Sequence, residues 1–271
     1  MSKINVPDFV LGEKLTAEQL DFFKKNGVIL FRNFISKDTV SLFISEVNRI
    51  EKEWLDKGIE KINGIPLKFG MDEHDHKMIQ RFCFLSQYSE SLHQFLQDPR
   101  LKALTGFLYP FEGRIAETEK DGLILNSYIR TPKSKFTQMG WHTDSPRDIF
   151  MGQKIMPMLN VGIHLDNCNY ENGGLRVLPG THKQGILKLL FRKKYFVDNT
   201  PDPNEIGFDI GAGDLSVHDG RIWHRAQQSN KMGIESRRRV MYVPLVTGKY
   251  RPKTKDSKTP FYHRLASKIQ N

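Results

Sequence analysis

His142-x-Asp144, with His224 and Arg237 far downstream, are residue types that together can hold and use a metal ion. Two imidazoles and one carboxylate bind one face of a ferrous ion and leave its other positions open for an oxidant and a co-substrate. Residues two apart on an extended segment point the same way, so one strand end can supply both His142 and Asp144. Taken alone the pair is a weak signal in a chain with nine histidines. The third donor must come from another strand. Asp219-Gly220 is a strong hairpin signal, and on the returning strand Ile222, His224 and Ala226 share the apolar face. His224 is therefore the candidate, and His218, at the turn, is the weaker one. The alternative for either is a hydrogen-bonded structural histidine.

Arg237 opens the β-like run Arg237-Arg-Arg-Val-Met-Tyr-Val-Pro244. A buried guanidinium opposite the metal would match the distal carboxylate of 2-oxoglutarate with two parallel donors, while the keto acid end of that molecule chelates iron. Three arginines stand in a row. Arg239 shares the alternation face of Arg237, Arg238 points to the other, and at least one of the three is an ordinary surface charge.

The elements that must position these residues can be read in outline. Thr16-Ala-Glu-Gln19 is a capping box that opens a helix ending near Asn26-Gly27. Val28–Phe34 reads as a strand. Ser36 caps a longer helix through Leu42, Phe43, Val47 and Ile50 to Trp54, stopping at Lys57-Gly58. Gly64 to Asp75 reads as loop, and a helix from about Ser89 to Phe107 is broken at Asp98-Pro99. From Leu123 onward the texture changes to short strands separated by Gly, Pro, Asn and Asp: Leu123–Arg130, Trp141–Asp144, Met158–Leu165, Leu175–Leu178, Asp214–His218, Arg221–Ala226 and Arg238–Val246. That pattern predicts an antiparallel sandwich or barrel. No linker separates the two parts, so residues 1–271 read as one domain, a helical part of about 1–110 packed on a β core of about 120–247, followed by a basic tail 248–271.

Composition narrows the class. A chain of 271 residues can bury a large core without disulfides or a structural metal. Cys83 and Cys168 suggest neither a disulfide framework nor a zinc site and are expected to stay reduced. There is no apolar leader pattern and no stretch of membrane-spanning length, so a cytoplasmic protein without a membrane span is the expectation. The net charge of +10 invites a nucleic-acid reading. Seven basic residues against one acid after Val246 hold more than half of that excess. A second cluster is Arg192-Lys193-Lys194. Solvated surface charge is the favoured reading, a basic rim that attracts an anionic substrate the second, and no nucleic acid is expected.

The order and spacing of the motifs resemble the phytanoyl-CoA dioxygenase family of Fe(II)/2-oxoglutarate oxygenases. The resemblance runs from Leu15-Thr-Ala-Glu-Gln-Leu-Asp-Phe-Phe through Arg130-Thr-Pro, Trp141-His-Thr-Asp144 and Leu165-Asp-Asn. It continues through Glu171-Asn-Gly-Gly-Leu-Arg-Val-Leu-Pro-Gly-Thr-His-Lys183, Gly213-Asp214 and Trp223-His-Arg-Ala-Gln-Gln-Ser-Asn230. It implies a mainly β fold with flanking helices, a double-stranded β-helix (jelly roll) core. It implies iron on His142, Asp144 and His224, 2-oxoglutarate on Arg237 with a further contact at Asn126, and O2 as oxidant. Two departures concern the co-substrate: Ala226 replaces a small hydroxyl residue common in relatives, and Gly162 replaces an aromatic. Halogenating relatives lack the carboxylate, so Asp144 favours hydroxylation of a small-molecule substrate.

Other features carry less. Asp72-Glu-His74-Asp-His76 reads as a solvated loop cluster before a second metal site. Asn172-Gly-Gly174 and Pro179-Gly180 read as turns, because no strand–loop–helix context supports nucleotide binding. Met139, Trp141, Ile149, Phe150 and Met151 suit pocket lining or core equally. The competing function is a catalytically idle jelly-roll protein that binds a ligand through its basic surface.

Overall fold

The computed structural model describes residues 6–134, 136–145, 147–150 and 154–260. Thr16 caps α1 (Ala17–Asn26). Its hydroxyl accepts from the Gln19 backbone N–H, and the Gln19 side chain accepts from Thr16 N in return. Such a cap contributes about 1 kcal/mol. Gly27 ends the helix at φ 76°, where any side chain would be strained and would run into the His182 imidazole. Ser36 caps α2 (Lys37–Asp56), whose buried stripe is Val40, Phe43, Val47, Ile50 and Trp54. Spacings of three and four residues put that stripe on one side of the helix. Ser89 and Asp98 cap the short helices Glu90–Phe95 and Pro99–Ala103, with Pro99 at the first helical position.

β1 (Val28–Phe31) lies between α1 and α2. The stretch read as loop differs from expectation: it contains β2 (Lys68–Met71), followed by β3 (Lys77–Phe82). The Asp72 carboxylate accepts from the backbone N–H groups of His74 and His76 and so builds the turn between them. After the short strand Arg114–Ile115 come β4 (Ile124–Arg130), β5 (Met139–His142), β6 (Met158–His164), β7 (Gly174–Val177), β8 (Ile206–Gly207), β9 (Leu215–Asp219), β10 (His224–Gln227) and β11 (Gly233–Val246). One antiparallel sheet runs β1-β9-β6-β11-β4-β3-β2, with the short strand Arg114–Ile115 beside β11, and a second runs β8-β7-β10-β5. From β4 to β11 the chain passes back and forth between the two sheets. This is a double-stranded β-helix, mainly β with flanking helices.

Pairing register sorts the faces of the large sheet. Val243 lies opposite Val161 and Leu245 opposite Leu159, while Leu215 and Met241 both flank Ile163. These side chains form one continuous core with the α2 stripe. Burying each contributes about 1.5–3 kcal/mol. The alternate residues therefore face the small sheet: Asn160, Gly162 and His164 on β6, Ser216 and His218 on β9, Arg238, Val240 and Tyr242 on β11. The helices cover one side of this sheet so that the other can carry polar groups.

After β11, Lys253 N–H donates to Thr118 O at 2.7 Å, and the Tyr250 hydroxyl donates to the Asp148 carboxylate at 2.9 Å. The start of the basic tail thus lies on the fold, while the helix expected through Phe261, Leu265 and Ile269 lies outside the described residues. Among the described residues no helix is long and apolar enough to cross a membrane. Cys83 and Cys168 are free and buried.

Candidate metal centre and co-substrate pocket

β5 ends on His142, which lies opposite His224 of β10, and the two rings are 4.1 Å apart. The chain then bends. The backbone N–H groups of Asp144 and Ser145 both donate to Gly220 O, at 2.8 and 3.1 Å. The turn that leads to His224 therefore also fixes Asp144. A Cβ on Gly220 would lie 2.5 Å from Met158 Cγ, so any larger residue there must displace the buried Met158 side chain. Asp144 Oδ2 sits 3.6 Å from His224 Nε2. One ligand atom each from His142, Asp144 and His224 lie within 4.8 Å of one another, and among the described residues no other such group forms. His74 and His76 are exposed in their turn. His218 flanks the trio, its ring 4.5 Å from that of His224 and its Nε2 3.9 Å from Asp144 Oδ2.

The histidines are prepared for a metal. His142 Nδ1 lies 2.8 Å from Gly140 O, and His224 Nδ1 lies 3.1 Å from Ile222 O. A carbonyl only accepts, so in both rings Nδ1 carries the hydrogen and Nε2 keeps the lone pair. Burial pushes His142 down to about 3, with the neighbouring His224 adding to the shift. A neutral imidazole is the form that ligates. Phe196 stacks on His142 at 4.9 Å. Trp141, Leu178 and Trp223 pack behind as core, which settles Trp141 as wall support, whereas Ile149 is exposed and Met151 lies outside the described residues. Two imidazoles and a carboxylate are a donor set suited to ferrous iron.

The arginine differs from expectation. Arg237 lies on the helix side of β11, among Arg239, Asp166, Glu73 and Glu51, and burial beside Arg239 lowers its pKa. Arg239 is bound to the Asp166 carboxylate at 2.7 Å. Arg238 takes the inner face opposite Tyr128 and is buried. It donates to Gln227 O at 2.7 Å and weakly to Thr137 O at 3.4 Å, while its Nε has no partner among the described residues. Asn126, opposite Val240, also faces inward, and its Oδ1 is buried without a partner among the described residues. Alternation in the sequence does not tell which arginine faces inward because β11 is apolar on both faces: Val240 and Tyr242 inside, Met241, Val243 and Leu245 outside. One of the two departures noted in sequence, Gly162, also lies here. Tyr242 lies opposite Gly162 and its ring edge covers the space above that glycine, so an aromatic from β11 occupies room left by β6.

The model of the phytanoyl-CoA dioxygenase family matches residues 23–238. The chain belongs to that family. The chain is similar to the ectoine dioxygenases of Bordetella parapertussis and Bordetella bronchiseptica, each 22% identical over 221 residues. That match covers 78% of this chain but 66% of theirs, just under two thirds. The carbocyclase SnoK from nogalamycin biosynthesis superposes with a TM-score of 0.63 at 19% identity, over 92% of both chains. HygX from Streptomyces hygroscopicus, with nickel and 2-oxoglutarate bound, superposes with a TM-score of 0.61 at 16% identity, over 89% of both. These likenesses extend the shared fold across nearly the whole chain.

Proposed function

We propose that this family member is an Fe(II)/2-oxoglutarate-dependent dioxygenase that hydroxylates an unactivated C–H of a small organic substrate. The observation that carries the reading is the trio with its two buried histidines and half-buried carboxylate, both Nε2 atoms freed by backbone hydrogen bonds and Arg238 and Asn126 on the inner face beyond it. His142, Asp144 and His224 would hold the metal. When bound, ferrous iron supplies the redox chemistry by which O2 oxidises 2-oxoglutarate to succinate and CO2 and delivers its second oxygen atom to the substrate.

The protein's part is positioning and shielding. Gly140 O and Ile222 O hold the imidazole rings by their Nδ1–H groups, and Gly220 O holds Asp144 at its backbone. Arg238 would meet the distal carboxylate of 2-oxoglutarate, and Asn126 would add an amide contact. Phe196 excludes water from one side of His142. Asp144 supports oxygen transfer over halide transfer, because the carboxylate fills the position a halide would need. An open surface groove of about 890 Å³ runs along the segment that carries Phe196, lined by Phe191, Arg192, Lys194, Val197 and Asp198. Arg192 and Lys194 are exposed there, which suits a substrate that carries negative charge.

The test is succinate formation from 2-oxoglutarate with purified protein, Fe(II) and O2, without added substrate and then with a metabolite mixture. Succinate that depends on both Fe(II) and O2, together with a one-oxygen mass gain in a mixture component, supports the reading. A metal-loaded protein that neither binds 2-oxoglutarate nor forms succinate would instead be an idle binding module.

A further inference from the structure

Asp144 is held at its backbone by Gly220 O, a contact that does not by itself set the orientation of the carboxylate. The inner face of β6 supplies a second hold. Asn160 Nδ2 donates to Asp144 Oδ2 at 2.5 Å, the oxygen that lies 3.6 Å from His224 Nε2. A carboxylate only accepts, so the amide must present its NH2 group to it. That same nitrogen lies 3.4 Å from His218 Nε2, where its second hydrogen can be accepted. His218 is 1% exposed, and its ring is packed 4.5 Å from that of His224. Asn160 and His218 come from adjacent strands and lie directly opposite each other in register. The sheet therefore fixes the spacing of the pair.

Resting on the reading that the trio holds a metal, the geometry points to Asn160 as the positioning residue for Asp144, braced by His218, which keeps Oδ2 turned toward the two ligand imidazoles. Asn160 touches neither reacting atoms nor co-substrate in this role. It acts by restricting the carboxylate to one orientation and by drawing charge from the ligating oxygen. Partners of this kind, one layer out from the metal, typically change metal affinity ten- to hundredfold when removed.

The test uses Co(II) as the probe, followed by its visible absorption band and by calorimetric titration of the metal-free protein. The set is wild type, Asn160→Ala, Asn160→Asp and the non-ligating control His142→Ala. The expected result is a ten- to hundredfold weaker Co(II) dissociation constant and an altered band in Asn160→Ala, with the melting temperature of the metal-free protein unchanged. Asn160→Asp keeps the shape but replaces a donor with an acceptor, so its Co(II) band should also change. Wild-type affinity and band in Asn160→Ala overturn the inference. So does a lowered melting temperature with unchanged Co(II) binding, which would mean a structural role. Should the alanine variant not fold, an unchanged band in Asn160→Asp overturns it. Failure of wild type to bind Co(II) would sink the metal reading itself, a result distinct from all of these.

Discussion

Replacing Arg238 with alanine should weaken 2-oxoglutarate binding far more than replacing Arg237. Hydrogen bonds to charged groups contribute about 1.5–3 kcal/mol each, so a bidentate contact with the distal carboxylate could reach about twice that. The structure lowers this expectation. In the free protein Arg238 already holds Gln227 O at 2.7 Å, and only its remaining donors are available to a ligand. A loss of about 2–4 kcal/mol follows, in line with removal of one member of a buried charge pair. At about 1.4 kcal/mol per decade, that is roughly a 30- to 700-fold rise in the dissociation constant. Calorimetric titration of 2-oxoglutarate into Mn(II)-loaded protein measures it directly, with O2 excluded. Because Arg238 is buried, the melting temperature of the unliganded variant should be recorded beside it. Arg237→Ala, on the helix side near Glu51 and Glu73, should stay within about twofold of wild type, as a site with no ligand contact does. Normal affinity in Arg238→Ala, or a large loss in Arg237→Ala, would refute the assignment of faces on β11.

Three further outcomes are expected. His142→Ala, Asp144→Ala and His224→Ala should each abolish succinate formation and stoichiometric Co(II) binding, whereas His218→Ala should retain measurable binding; loss in His218→Ala with retention in His224→Ala would reverse the ligand assignment. Burial pushes His164 down to about 4, so the unfolded chain binds its proton first and stability is lost as pH falls from about 6.5 to about 4, by up to about 3 kcal/mol from this residue. His164→Gln should flatten that part of the urea-unfolding profile, and an unchanged slope would count against it. Asp148 and Lys120 are buried 3.7 Å apart, so Asp148→Asn should lower stability by on the order of 3 kcal/mol, measured by the same unfolding assay; a change under about 0.5 kcal/mol would show that other contacts carry Lys120.

The metal trio was legible because its residue types are scarce and its spacing is set by strand geometry: His142-x-Asp144, then a histidine on the strand that returns from an Asp-Gly turn. Both long helices were legible from caps and stripes that act locally. Arg238 was not, since three arginines in a row and a strand apolar on both faces leave alternation without a reference. Only the pairing of Arg238 with Tyr128 supplies one. β2 and β3 were hidden because Lys68-Phe-Gly-Met and Lys77-Met-Ile-Gln-Arg-Phe alternate poorly and lie at the sheet edge. Asn160 had a signal that went unused. In Met158-Leu-Asn-Val-Gly-Ile-His164, Leu159, Val161 and Ile163 alternate with Asn160, Gly162 and His164, marking a strand with one polar face turned inward.

Gly220 joins more than a turn. Its carbonyl accepts from Asp144 and Ser145, and its N–H donates to Met158 O at 2.8 Å, so the chain leaves and re-enters the barrel at one residue. The excursion between Ser145 and Met158 is closed at its root like a drawstring bag. Within the closure Asp148 is tied back to the fold, accepting from the Tyr250 hydroxyl at 2.9 Å and lying 3.7 Å from Lys120. Asp144 and the first residue of β6 thus share one backbone anchor, so a shift of either strand end is passed to the other through Gly220.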